Sequence, residues 1–575
     1  MKNITCQITL LSLIILGFGC NKLDLSPLAE GSSESWYSSD NEVRMSIDYL
    51  YNINFWNSNP DLSYFNNGGW LDAWSDDWTN RDLLNDITNG TINSQTSFVV
   101  NFWTRYYKCI AQANYIIEKI TERKDQFSEA KFNQYLAEAK FVRARMYSWL
   151  IFLYGDVPYY DSSITVEEAF SMGRIDKAEI LKKIYEDFDF ASSILPISWS
   201  GTKYPTKGAA LALKARIALW MQDYQTARDA AKSCIDLNAY QLYPDFFELG
   251  LTKNKNSAEI IWSIPRSVEL NSTFRAENAR QRSPRTTGGN AFIWPSWDLF
   301  CSFLCSDGLP IDESPLYNPR KPFENRDPRL SATIVEHGTS FGGVIWQPHP
   351  DSLKCTKVPS GERVNNRESS GVDQWAPWNG IMWRKFYDED WFDDFLVAPE
   401  QVEIRFADVL LIYAEAKIEL GETDQTVLDA MNRVRARAYK VDYTSTSLYP
   451  VINTKDVNEL RKILRIERRM EFAFEGLRYP DLLRWRLAEK ALTKPTYGLL
   501  LKDELREKIV RPGLWFFPEV TPIDEDGLPD FTPMFEKGLI RRLAIRNFDK
   551  SRNYLWPIPN VEIQINENIK QNPGY

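Results

Sequence analysis

The sequence predicts a mostly α-helical fold built from paired helices and interrupted by a long irregular insertion, on three observations. Residues 136–154 are apolar on two helical faces. Two Ala-rich stretches, near 209–235 and 407–438, each read as a helix, a break and a return helix. Between them, residues 251–380 lose helical period and become rich in Pro, Gly, Asn, Arg and Trp.

In residues 136–154, Ala137, Phe141, Ala144 and Ile151 follow one face, and Ala139, Val142, Met146, Leu150 and Leu153 follow another. A helix apolar on two faces is sandwiched between neighbours. Gly155 ends it and Pro158 prevents its resumption. Before it, Trp103, Tyr107 and Ile110 mark a helix across 98–120. In the first Ala-rich unit, residues 209–220 form a helix, Asp223-Tyr224 turn, and Ala227, Ala230, Ala231 and Cys234 line the return. In the second, Ala407, Leu410, Leu411, Ala414 and Ile418 form a helix, Gly421 breaks it, and Val427, Met431, Val434 and Ala438 form the next. Small residues at such crossings let helices approach closely, which is the logic of tetratricopeptide repeats, here degenerate and widely spaced. Ile463, Ile466, Met470, Ala473 and Leu477 predict one more helix, and residues 553–575 form a Pro- and Asn-rich tail. The insertion cannot all be core without period, and long ordered insertions are usually functional.

The chain has 575 residues, of which 43% are hydrophobic and 25% charged, so a folded globular protein follows. Its net charge of −10, with no long Lys/Arg run, excludes the usual nucleic-acid-binding face. Lys2 and the apolar stretch 8–18 predict a signal peptide over residues 1–19, too short to span a bilayer. That stretch stops at Gly19-Cys20, where lipidation of Cys20 and a polar tether over 20–39 are expected. One acyl chain anchors only marginally, so triacylation, palmitate included, is the expected anchor. Beyond Cys6 and Cys20 the cysteines are odd in number, and Cys301 and Cys305 have no second pair or nearby His. They read as buried apolar residues rather than zinc ligands, and no metal or cofactor is expected.

Several dispersed blocks, in order, resemble the SusD/RagB family. They are Ala137-Glu138-Ala139-Lys140-Phe141-Val142-Arg143-Ala144 with Tyr154-Gly155-Asp156-Val157-Pro158, then Pro205-Thr206-Lys207-Gly208-Ala209-Ala210, then Asp307-Gly308 with Asn325-Arg326-Asp327-Pro328-Arg329-Leu330. The most distinctive run is Glu467-Arg468-Arg469-Met470-Glu471-Phe472-Ala473-Phe474-Glu475-Gly476, and Trp556-Pro557-Ile558-Pro559 and Asn572-Pro573-Gly574-Tyr575 close the chain. The resemblance implies a helical N-terminal region over 40–250 and a C-terminal region over 251–575 that includes the insertion. It also implies an outer-membrane lipoprotein, facing outward, that captures oligosaccharides, sometimes peptides. Such proteins act without catalysis as the lid of a SusC-like TonB-dependent transporter.

Aromatic residues make up 14% of the chain, with 20 tryptophans. A protein that holds sugars needs flat aromatic platforms for C–H faces and polar groups for hydroxyl edges. Trp70, Trp74 and Trp78 recur every four residues among Asp76, Asp77, Asn80 and Arg81, and these are ligand candidates against the alternative of an apolar helix face. In the insertion, Trp346, Trp375 and Trp378 sit in loop chemistry and are the further candidates. The binding face is expected where segment 70–81 meets the insertion. Glu467, Glu471 and Glu475 form a helical stripe that a glycosidase reading would use. An ionic network with Arg468, Arg469, Arg478 and Arg433 or Arg437 is the structural alternative, and the preferred one.

Overall fold

The structure, a computed structural model, describes residues 36–37, 39–52, 55–56, 71–274 and 276–575. The signal segment, Cys20, most of the tether, the loop 57–69 and Trp70 lie outside the described residues.

Antiparallel helices form the scaffold. Helix α1 (Asp40–Leu50) starts at a reciprocal cap between Ser39 and Glu42. The long helices α2 (Ser97–Glu122) and α3 (Glu129–Tyr154) pack together, and α3 is buried almost all round over its last five turns, as a two-faced apolar pattern requires. Gly155, at φ 76°, ends it. Helix α4 (Lys177–Ile194) lies between α3 and α5 (Lys207–Trp220), and α6 (Tyr224–Ile235) returns along α5. Thr206 and Asp223 cap α5 and α6 with their side chains. Helices α7 (Phe406–Glu419) and α8 (Gln425–Ala438) make the second Ala-rich pair, and α7 also packs on α6, so the two units adjoin across 170 residues of sequence. Helix α9 (Val457–Phe472) ends earlier than its apolar steps predict. Phe474 and Gly476 both take positive φ and turn the chain into α10 (Arg478–Arg484).

The insertion differs from its expectation as a bare loop. It holds short antiparallel pairs, among them β3 (Ile293–Pro295) against β1 (Trp78–Asn80), and the hairpins β4 (Ser340–Phe341) with β5 (Val344–Ile345) and β6 (Lys354–Thr356) with β7 (Arg363–Asn365). Strand β2 (Ile260–Ile264) pairs with β8 (Gln401–Arg405), and β9 (Pro495–Gly498) pairs with β10 (Arg541–Ile545). Strands of two to five residues are too short to register as period. The insertion also builds a core of its own, in which Trp294, Phe341 and Trp346 pack with Tyr387 and Trp391 just beyond its end. The larger helical core centres on Trp556, which packs 5.0 Å from Trp74 and 5.2 Å from Phe98.

A buried charge lattice joins α9 to the rest. Glu467 pairs with Arg329 at 2.7 Å and Arg435 at 2.8 Å. Glu471 pairs with Arg405 at 2.7 Å, with Arg329 and with Arg437, and Glu475 pairs with Arg405 at 2.7 Å and Lys385 at 2.6 Å. Of the expected partners only Arg437 serves the stripe. Arg468 turns to Asp408 and Asp481, Arg469 and Arg478 turn to Asp76, and Arg433 lies over the Phe406 ring. Consecutive residues on a helix point different ways, so neighbours in sequence serve different lattices. The five described cysteines are all buried and unbonded to one another.

Candidate functional site

The segment after Trp70 divides sharply. Trp74 is 1% exposed, wedged against Phe98, Phe102, Tyr479 and Trp556. Asp76 and Asp77 are fully buried: Arg478 and Arg469 each reach Asp76 at 2.8–2.9 Å, and Arg469 reaches Asp77 at 2.7 Å. Burial opposes ionisation of Asp76, and the two guanidinium groups overcome it, holding its carboxyl below the usual range. Trp78 is buried edge-on against Trp383 and Phe474. Asn80 is half-buried, its side-chain oxygen accepting from the backbone of Asp82 and Leu83. Trp346 is likewise 0% exposed in the insertion core. As ligand candidates Trp74, Asp76, Asp77, Trp78 and Trp346 are corrected: the fold gives each no reachable face, because their areas or charges close the junctions between segments.

Arg81, Trp375 and Trp378 come together. Strand β1 pairs in register with β3, Asn80 opposite Ile293, and this sets Arg81 against the insertion. One Arg81 Nη donates to the carbonyls of Asn290, at 2.5 Å, and Trp375, at 2.6 Å, and its guanidinium lies 5.8 Å from the Trp375 ring. Burial, with Arg285 nearby, pulls the Arg81 guanidinium down to about 10. The loop carrying the tryptophans is pinned at its start by Asp373, which accepts from the Trp375 backbone at 2.9 Å, from Arg285 at 3.0 Å and from Arg367 at 2.9 Å. It is pinned at its end by the Trp378 carbonyl, which accepts from Leu499 N–H at 2.9 Å. A Cβ on Gly498 would stand 2.7 Å from that carbonyl, so only glycine lets β9 approach so closely.

The result is an open cleft of about 1070 Å³. One wall is the loop 370–378, and the other is the segment 499–504, buried at Leu499 and Leu500 and exposed from Leu501 to Glu504, with Arg541 of β10 between them. Trp375 is 47% exposed, the highest of any tryptophan among the described residues. Trp378 is half-buried, resting 5.7 Å from Trp294 with its other side toward Arg541 at 5.8 Å. Two rings held by backbone pins, bordered by cations and backbone amides, can stack on a flat ligand and bond its edges. A second, tighter cavity of about 160 Å³ is lined by Asp72, Arg266, Arg282, Trp383 and Phe474. It falls below the roughly 300–1,000 Å³ usual for ligand sites. Burial raises Asp72 there to about 8.

Arg541, Gly498 and the segment 499–504 have no signal in the sequence. They reach the cleft through β9–β10 pairing, and a five-residue strand with an irregular register carries little period. Asp373 left a legible trace, since Asp two residues before a loop Trp is turn chemistry. Among the described residues, no group of three His, Cys, Asp or Glu side chains is placed to hold a metal. No described helix is long and apolar enough to cross a membrane.

Comparison with known proteins agrees with this architecture. Residues 258–575 match the SusD family, and residues 71–219 match a family described as starch-binding, associating with the outer membrane. The chain is 26% identical to SusD-like protein P25 of Formosa agariphila, over 82% of this chain and 88% of that protein. It is 23% identical to SusD-like protein P2 of the same organism over 99% of both. A crystal structure of a SusD-like carbohydrate-binding protein from Bacteroides fragilis superposes with a TM-score of 0.76 at 25% identity, covering 93% of this chain and 99% of that one.

Proposed function

The chain belongs to the SusD family, and on that premise we propose that it captures oligosaccharides at the outer membrane in the Trp375–Trp378 cleft. It holds them without cleaving them and delivers them to a SusC-like TonB-dependent transporter. Lipidation at Cys20 anchors it, and the cleft faces the cell exterior.

The observation that carries this reading is the exposed Trp375 beside Trp378 on a loop fixed at both ends. Rings that a fold holds rigid yet leaves open to water suit stacking, because little freedom is lost when a ligand arrives. The carbohydrate-binding relative from Bacteroides fragilis supports the ligand class. The non-catalytic reading is supported by Glu467, Glu471 and Glu475, whose carboxylates are buried and spent on cations. An open platform buries few polar groups, so net binding of about 4–6 kcal/mol is expected, with dissociation constants from about millimolar to tens of micromolar. Weak binding also suits a protein that must pass its ligand on.

Calorimetry against a panel of plant, algal and host oligosaccharides tests it, with product analysis after long incubation. Binding that Trp375→Ala and Trp378→Ala both weaken, without hydrolysis, is the expected result. Wild-type affinity in both variants, or cleavage of the ligand, would refute it. Cys20→Ala should release the protein from membranes, and the wild type should co-purify with a large outer-membrane barrel.

A further inference from the structure

Arg541, like the buried Arg266 of the smaller cavity, is a cation with no carboxylate partner among the described residues, and Arg541 is the one that stands on the open cleft. Other arginines are matched: near the cleft Arg285 and Arg367 share Asp373, and in the interior Arg329, Arg405, Arg437, Arg468 and Arg478 each meet carboxylates. Arg541 is half-buried at the cleft wall, and its side chain forms no hydrogen bond or ion pair among the described residues. Its Nε is shut off from water with no acceptor. Its guanidinium lies over the Trp378 ring, 5.8 Å from the ring centre. The other charged groups on the cleft do not offset it. Asp373 is occupied by two arginines, while Lys502, Asp503 and Glu504 are exposed on the opposite wall.

A guanidinium stripped of part of its water and given no anion raises the free energy of the empty protein. The fold places this one against the aromatic platform, where a ligand's edge would arrive. We infer that the cleft is specific for anionic glycans, sugars carrying carboxylate or sulfate groups, with Arg541 as the receptor for that group. A guanidinium presents paired N–H donors that match a carboxylate or a sulfate in two parallel hydrogen bonds. The adjoining Trp378 ring would take the face of the same sugar. This rests on the reading of the cleft as the glycan site.

The test uses the full-length protein and matched ligand pairs. One pair is oligogalacturonides and their neutral methyl esters, and the other is a sulfated galactan and its desulfated form. A neutral glucan serves as a third arm. In at least one pair the charged member should bind about ten- to hundredfold more tightly than its neutral partner, the range that one charge-assisted contact confers. The pair that discriminates separates carboxylate from sulfate. Arg541→Gln should abolish the preference, Arg541→Lys should keep part of it, and added salt should shrink it. Thermal stability should be unchanged or higher in Arg541→Gln, since no partner is lost. Equal binding of charged and neutral members, or a preference that persists in Arg541→Gln, overturns the inference and leaves the glycan site standing if the neutral glucan binds. Failure of every glycan to bind overturns both.

Discussion

The α9 lattice and the tryptophan cleft use similar side chains for opposite ends. Around α9, Glu471 and Arg405 are at most 2% exposed, and the buried charges Glu467, Arg468, Arg469 and Glu471 each meet an opposite charge. In the cleft, Trp375 keeps nearly half its surface in water, and Arg541 meets no carboxylate. Groups that are fully matched stabilise the fold and have nothing left to offer a ligand. Groups left unmatched by a rigid frame are the ones able to bind. The contrast teaches that exposure and incomplete pairing, more than residue type, separate a recognition surface from a structural one. Trp346 and Trp375 are both tryptophans of the same insertion, yet one is core and the other platform.

Four measurements would break or sharpen that contrast. The largest effect is expected from Glu471→Gln, which leaves Arg405 and Arg437 short of an anion in a buried setting. A loss of about 3–5 kcal/mol is expected in denaturant unfolding, with ligand affinity of the folded protein unchanged. A selective loss of binding at wild-type stability would mean that the lattice belongs to the site. Trp346→Ala comes next, at about 3–5 kcal/mol from the cavity it leaves, again without effect on affinity.

Acid should separate the two regions further. Burial opposes ionisation of Glu471, and Arg437, Arg405 and Arg329 outweigh it, lowering its carboxyl to about 2 from an ordinary 4.5. Because the folded value is depressed, the stability it contributes is complete above about 4.5 and is lost as pH falls toward 2. Glu475 shifts in the same direction, with burial opposing and Arg405 and Lys385 prevailing. Denaturation midpoints should therefore fall between pH 4.5 and 2 by an amount worth about 2–3 kcal/mol, and less steeply in Glu471→Gln. A midpoint flat across that window would sink the assignment of Glu471 as an ion-paired carboxylate. The smallest effect belongs to the cleft. Trp378→Ala and Trp375→Ala should each cost about 1–2 kcal/mol of affinity, read by calorimetry. Unfolding of the half-buried Trp378 variant should shift slightly, and that of the exposed Trp375 variant not at all. A Trp375→Ala protein that melts early would show that ring to be structural.

Much of the scaffold was legible in the chain. Alternating Ala and large apolar residues at helical steps mark 207–220, 224–235, 406–419 and 425–438, because each helix signals its buried face within three turns. The Glu stripe was readable as ionic because like charges at i, i+4 demand cations. Which cations answer was not readable. Arg329 and Arg405 lie 142 and 66 positions from Glu471, and no local rule reports a contact of that span. The same limit misplaced Asp76 and Asp77, which look like solvent-facing ligand groups until Arg469 and Arg478 arrive from about 400 residues away.

What the sequence determined by itself was the strongest periodicity, which marks the long helices other than α1 and α4 and the two Ala-rich pairs, together with the aperiodic insertion, the aromatic excess and the dispersed blocks that mark the family. What only the tertiary structure decided was the fate of each tryptophan and each charge. A ring's exposure depends on what packs over it, and a carboxylate's role depends on which guanidinium reaches it. Both are set by segments that meet after long stretches of chain, as when β9 and β10 bring Gly498 and Arg541 to the loop that carries Trp378.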